Sequence, residues 1–250
     1  MRAILAAFLA CLWLASSANA DISFVSGGPY SDNGTLGTTL SVSFTVSSST
    51  NRILVAFIIG NENVNTPSLT ATYNGVSMAG PYGTISATGE TDGFYILVNP
   101  PSGSNTLLVT DTNCSGANCF LAVLPVEYAG AAQTGQPDTT GASTTDSIAE
   151  DTYSSTVGPT VANRAWMIGA SINGGGGTNS MTSPFTARIG GGGGSFVMMG
   201  DAGPITPAGT VTFTATMLNG GSKQVHSTFS IAPAATLTDK GSMMLMGCCR

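Results

Sequence analysis

Charge is what this sequence has least of: Asp, Glu, Lys and Arg make up 8% of its 250 residues, against about 25% in an ordinary globular domain. Lys and Arg together number seven, and the formal net charge is −6. A chain so short of cations has no basic stripe with which to neutralise phosphates, so nucleic acid is not an expected partner. Anionic membrane surfaces are disfavoured by the same deficit. Histidine occurs once, as His226, which leaves little for a histidine-based metal site. Sustained helical periodicity is missing after residue 20. Gly, Ser, Thr and Asn fill the polar positions instead, and they imply a neutral, hydroxyl-rich surface.

The longest apolar stretch lies at the start. Arg2, the apolar run 4–15 and Ala18-Asn19-Ala20 have the order of an export signal, with a positive residue, a hydrophobic segment and a small-residue cleavage site. A mature chain beginning at Asp21 is therefore expected, secreted or on the cell surface and without an integral membrane segment, because the run is shorter than the ~20 residues that span a bilayer. Of five cysteines, Cys11 leaves with the signal, and Cys248 and Cys249 adjoin in a stretch expected to be a tail, 234–250. Cys114 and Cys119 flank Ser-Gly-Ala-Asn and are expected to form a disulfide in an oxidising compartment. A zinc site would need four ligands at suitable spacing, which the adjacent tail pair supplies poorly.

Leu40, Val42, Phe44 and Val46 alternate with Ser41, Ser43 and Thr45, the period-2 pattern of a strand with one buried face. Val211, Phe213, Ala215 and Met217 alternate with threonines in the same way. The continuous apolar runs 53–59, 94–98, 120–124 and 166–170 read as central strands, since each is short and bounded by Gly, Pro or Asn. Turn signals such as Asn33-Gly34, Asn74-Gly75 and Asn219-Gly220-Gly221 punctuate them. The class implied is all-β, an antiparallel two-sheet sandwich of jelly-roll type, with two tandem immunoglobulin-like sandwiches as the alternative.

The chain also repeats itself weakly. Asn51-Arg52 opens one apolar strand and Asn163-Arg164 another, while Pro101-Ser102-Gly103 and Pro207-Ala208-Gly209 each precede a Thr-rich strand. Two similar halves follow, about 21–130 and 146–233, within one unit of 21–233. The ordered set Asn51-Arg52-Ile53-Leu54-Val55, Tyr73-Asn74-Gly75-Val76, Phe94-Tyr95-Ile96-Leu97-Val98, Pro100-Pro101-Ser102-Gly103 and Val126-Glu127-Tyr128-Ala129-Gly130 resembles a β-sandwich module recurrent in secreted bacterial and phage-associated surface proteins. The resemblance implies a fold and brings no catalytic residues with it.

Chemistry has few footholds. Gln224-Val225-His226 is similar to a short motif of alginate-lyase jelly rolls, but the Arg- and Glu-rich strand and the Tyr-containing C-terminal motif of that family are missing. Alternation within 224–231 turns Ser227, Phe229 and Ile231 inward and leaves His226 with Gln224, Thr228 and Ser230 on a polar, wet face. Gly169-Ala170-Ser171-Ile172-Asn173 only approximates a nucleophile elbow. Glycoside hydrolysis needs two carboxyl groups roughly 5–10 Å apart, for which Glu62, Glu90, Asp92, Asp111 and Glu127 are candidates, Glu127 being expected on a solvated face. The glycine runs 174–177 and 190–194 lack the Lys-Ser/Thr of a nucleotide cradle. Asn61, Asn63 and Asn65 alternate like calcium ligands, though amide oxygens hold a hard cation weakly; no other cofactor is expected. Among the aromatics, Trp166 is assigned to the core, and Tyr82 and Tyr73 are candidate ligand contacts. The expected function is non-catalytic: glycan or cell-surface binding or adhesion, or else self-assembly as a structural subunit of an extracellular layer, appendage or filament. A polysaccharide lyase or glycosidase is the remaining alternative.

Overall fold

A computed structural model of the chain describes residues 21–34, 37–62, 65–87, 89–114, 119–146, 152–157, 160, 162–173, 179–190, 197–217 and 224–235. Among them every regular element is a strand. The first half of the chain forms β1 (Ser23–Gly27), β2 (Ser31–Asp32), β3 (Thr39–Val46), β4 (Ile53–Asn61), β5 (Leu69–Tyr73), β6 (Val76–Ser77), β7 (Ala79–Ala87), β8 (Glu90–Val98), β9 (Gly103–Asp111) and β10 (Phe120–Ala129). The second forms β11 (Thr139–Asp146), β12 (Thr152–Val157), β13 (Ala165–Asn173), β14 (Asn179–Met181), β15 (Thr186–Gly190), β16 (Val197–Ile205), β17 (Val211–Met217) and β18 (Gln224–Ile231).

These strands build four antiparallel sheets, with orders β1-β10-β4-β8-β7, β3-β9-β5-β6, β11-β18-β13-β16-β15 and β12-β17-β14. Short β2 adds to the edge of β10. The all-β antiparallel sandwich class expected from the sequence is the class observed. Each half carries its own pair of sheets in matching order: β1, β10, β4, β8 and β7 correspond in turn to β11, β18, β13, β16 and β15, and β3, β9 and β5 to β12, β17 and β14. In either half the final strand lies between the first and the third main strands, the wiring of a jelly roll.

Burial arranges the sheets in layers. Along β4, Ile53, Val55, Phe57 and Ile59 join Trp166, Ile168, Ala170 and Ile172 of β13 in one core between the halves. Leu54, Ala56 and Ile58 of the same strand pack instead with Phe44, Tyr73, Leu107 and Val109 of the first outer sheet. Met167 of β13 faces Val211, Phe213 and Ala215 of the second outer sheet. The central strands are thus apolar on both faces because both faces are covered, which is why their sequences run without alternation. Each fully buried Val, Leu, Ile, Phe or Met among them contributes about 1.5–3 kcal/mol.

Aromatic contacts cross between the halves: Phe94 meets Phe229 at 4.7 Å between centroids, and Tyr128 meets Trp166 edge-on at 5.9 Å. Trp166 is a core residue, as its sequence context indicates. Beside it sits a polar clasp. Arg188 holds Asp201 through two hydrogen bonds of 2.7 and 2.8 Å, and the Tyr128 hydroxyl donates to the same carboxylate at 3.0 Å. The guanidinium lies 4.5 Å from the Phe24 ring centroid. Burial, reinforced by Asp201, pushes the Tyr128 hydroxyl well above its ordinary pKa, so the phenol remains a donor. Arg164 and Asp21 form a second ion pair across the halves, at the surface.

Candidate functional site

The halves also meet at their sheet edges, where β7 runs beside β11. Both strands are irregular there. The pairing of β7 with β8 shifts on either side of Tyr82, and that of β11 with β18 shifts between Thr139 and Ala142. Gly83 and Gly141 occupy the bulges with φ of 55° and 81°, and a Cβ at either would collide with the Thr228 carbonyl. Glycine is required at both positions by backbone conformation and by proximity.

Between the bulges lies a shallow groove of about 270 Å³ lined by Pro81, Tyr82, Gly83, Thr84, Thr140, Gly141, Ala142 and Ser143. No charged side chain is among them. The Ser143 hydroxyl donates to the Thr84 carbonyl at 2.6 Å and ties the two walls together. Tyr82 is partly exposed and lies nearly parallel to Phe229, 17° between ring planes and 6.4 Å between centroids. Its ring is anchored in the inter-half core and held at the groove. Tyr82 sits in Gly80-Pro81-Tyr82-Gly83, which has the composition of a loop; it is in a bulged strand instead.

The other candidate residues do not gather around it. Tyr73 is fully buried, and its hydroxyl donates to the carbonyls of Phe44 and Gly103, each at 3.0 Å. Asn61 is exposed at the end of β4, Asn65 donates its amide to the Asn113 carbonyl at 3.4 Å, and Asn63 lies outside the described residues. Among the described residues no group of three His, Cys, Asp or Glu side chains is placed to hold a metal ion. Cys114 and Cys119 form a disulfide with Cα atoms 6.0 Å apart. No helix among the described residues is long and apolar enough to cross a membrane.

Two expectations about polar residues are corrected. His226 does not sit on a wet face. It is 1% exposed, because the second outer sheet covers that face of β18 and brings Phe213 to 5.0 Å from its ring. Burial lowers its pKa from 6.5 to about 4, so the imidazole is neutral. Its neighbours in register are Thr144 on β11 and Ser171 on β13. Glu127 is not solvated either. Its carboxylate is buried and accepts from the Ser47 amide at 2.9 Å, the Ser47 hydroxyl at 2.6 Å and the Ser26 hydroxyl at 3.4 Å.

The remaining candidate carboxylates lie away from the groove. Asp111 accepts from the amides of Ser68 and Asn113, Glu62 is buried beside Cys119, Asp92 is buried within β8, and Glu90 opens that strand. None lines the groove. The clasp of Arg188, Asp201 and Tyr128 went unnoticed in the sequence, where nothing links residues so far apart. Gly141, a single glycine among Thr139, Thr140, Ser143 and Thr144, was the available signal for a bulge.

No protein-family model matches the chain, and no curated protein matches it. Among solved structures it is similar to a chain of infectious bursal disease virus, Gx strain, at 12% identity and TM-score 0.26, covering 87% of this chain and 43% of that one. It is also similar to dimeric latent PorU from Porphyromonas gingivalis, at 12% identity and TM-score 0.28, covering 87% and 21%. A third is the major capsid protein P2 of bacteriophage PM2, at 6% identity and TM-score 0.27, covering 86% and 99%. The chain thus spans less than half the length of the first two. At such scores these likenesses carry nothing about ligand or role.

Proposed function

We propose that the chain is an exported, non-catalytic surface module that binds an uncharged glycan in the groove between β7 and β11. The observation that carries this reading is the lining: hydroxyls, backbone groups and one anchored tyrosine, with no ionic side chain. Neutral sugars present hydroxyls that pair with such groups and C–H faces that rest on an aromatic ring, and few convergent polar groups suffice to orient them. Export is supported by the signal-like order of Arg2, the run 4–15 and Ala18-Asn19-Ala20, and by the Cys114–Cys119 disulfide.

Non-catalysis is supported by the location of the acid–base groups. Catalytic proton transfer requires a base within hydrogen-bond reach of substrate, whereas His226 lies between sheets and Glu127 is committed to Ser47 and Ser26. The test is a neutral-glycan array followed by titration of any ligand found. Tyr82→Ala is expected to weaken binding at least about tenfold, a loss of ~1.4 kcal/mol, while Tyr82→Phe retains most of it. A wild-type protein that binds no neutral glycan, or a Tyr82→Ala variant that binds unchanged, would refute the assignment.

A further inference from the structure

The edges of the sheets are not treated alike. Every edge of the two inner sheets is broken by an irregularity: β1 shifts between Phe24 and Ser26, β7 around Tyr82, β11 between Thr139 and Ala142, and β15 between Ala187 and Ile189. Bulges of this kind spoil an edge as a template for another strand. In the outer sheets, β6 and β14 are two and three residues long. The opposite outer edges are different. β3 pairs with β9 through eight successive residues without a shift, and β12 pairs with β17 through six. Neither strand contains a charged residue or a proline, and among the described residues each has a ladder partner on one side only.

We infer that the open edge of β3 is a self-assembly seam, occupied by β3 of a second copy of this chain. An edge strand presents a row of N–H and C=O groups whose natural complement is another extended backbone, and β3 is complementary to itself. Antiparallel pairing centred on Val42 places Leu40 opposite Phe44 on the buried face and Ser41 opposite Ser43 on the exposed one. Apolar meets apolar, hydroxyl meets hydroxyl, and no like charges oppose each other. Leu40 and Phe44 are already buried, whereas Val42 is only partly so; a partner strand completes its cover. The contact is isologous, with the same patch used by both copies. β12, the counterpart of β3 in the second half, offers a second seam, so that pairs can extend into a chain of molecules.

The test is the oligomeric state of the mature, disulfide-intact protein by light scattering and sedimentation over a wide concentration range. Concentration-dependent assembly is expected. Val42→Lys, a charge pointing inward at the seam, should weaken it at least about tenfold, while Thr106→Lys, exposed on the neighbouring central strand β9, should leave it within about twofold. Should Val42→Lys fail to fold, amide exchange of the wild type decides: β3 amides gain protection as concentration rises and those of β7 do not. A protein monomeric at millimolar concentration overturns the inference, as does equal loss of assembly in both variants, which would indicate the sheet face. It also falls if the chain stays monomeric while a peptide matching residues 236–250 protects the β3 amides, because the seam would then belong to the chain's own C-terminal stretch.

Discussion

Acid should weaken this fold through His226. The folded-state pKa of about 4 lies below the unfolded value of 6.5, so the unfolded chain binds the proton more readily. Stability from this residue is therefore whole above pH 6.5, falls as pH drops from 6.5 towards 4, and is constant below. Linkage sets the size: about 2 kcal/mol is lost by pH 5, and about 3.4 kcal/mol once both states are protonated. His226 is the only histidine, and the carboxylates are common to wild type and variant, so the difference between the two profiles isolates its contribution. Urea unfolding at half-unit intervals for the wild type and His226→Phe would measure it. The variant pays a packing cost of about 1–3 kcal/mol, but that cost is independent of pH, so the readout is the slope. Parallel stability profiles for the two proteins from pH 7 to 5 would refute the account of His226 as a buried neutral residue.

Glu127→Gln should cost about 1–3 kcal/mol in urea unfolding, because three donors from Ser47 and Ser26 converge on the carboxylate and an amide would turn a donor towards them. Asp201→Asn should cost about 3 kcal/mol in thermal unfolding, since it removes the charge that the two Arg188 bonds and the Tyr128 hydroxyl address. Replacing both partners, Asp201→Leu with Arg188→Met, should recover part of that loss; no recovery would mean that the clasp contributes net stability.

Strands β3, β4, β8, β10, β13, β17 and β18 were legible because their apolar patterns are decided by immediate neighbours: alternation in Leu40–Val46 marks one covered face, and the unbroken run in β4 marks two. Asn51-Arg52 and Asn163-Arg164 precede β4 and β13, while β11, from Thr139 to Asp146, begins ahead of the boundary expected at 146. What failed was the meaning of polar alternation. Thr228 and Ser230 flank His226 as hydroxyl residues on a solvated face would, yet both are 0% exposed. Thr228 donates to the Ala142 carbonyl, and Ser230 donates to Asp138. A polar residue in a strand marks water only if nothing is stacked outside it, and the number of layers is a long-range property. The groove was hidden for the same reason, since Tyr82 and Ser143 belong to different halves and meet only after the inner sheets have stacked.

The shortage of charge then acquires a second cause. A stack of four sheets buries both faces of the two inner ones, so residues on β4, β8, β10, β13, β16 and β18 have almost no position from which an ionised group could reach water, and burying an unpaired charge costs far more than burying a hydroxyl that finds a carbonyl. Two of the charges that do enter are tied, Asp201 to Arg188 and Glu127 to two serines. Burial accounts for the inner layers but not for the outer ones. The exposed positions Thr39, Ser41, Ser43 and Thr45 of β3 could each carry a lysine at no desolvation cost, and lysine is the usual guard of an open edge. Its absence there is not a consequence of burial, which is the physical reason for assigning β3 an occupant.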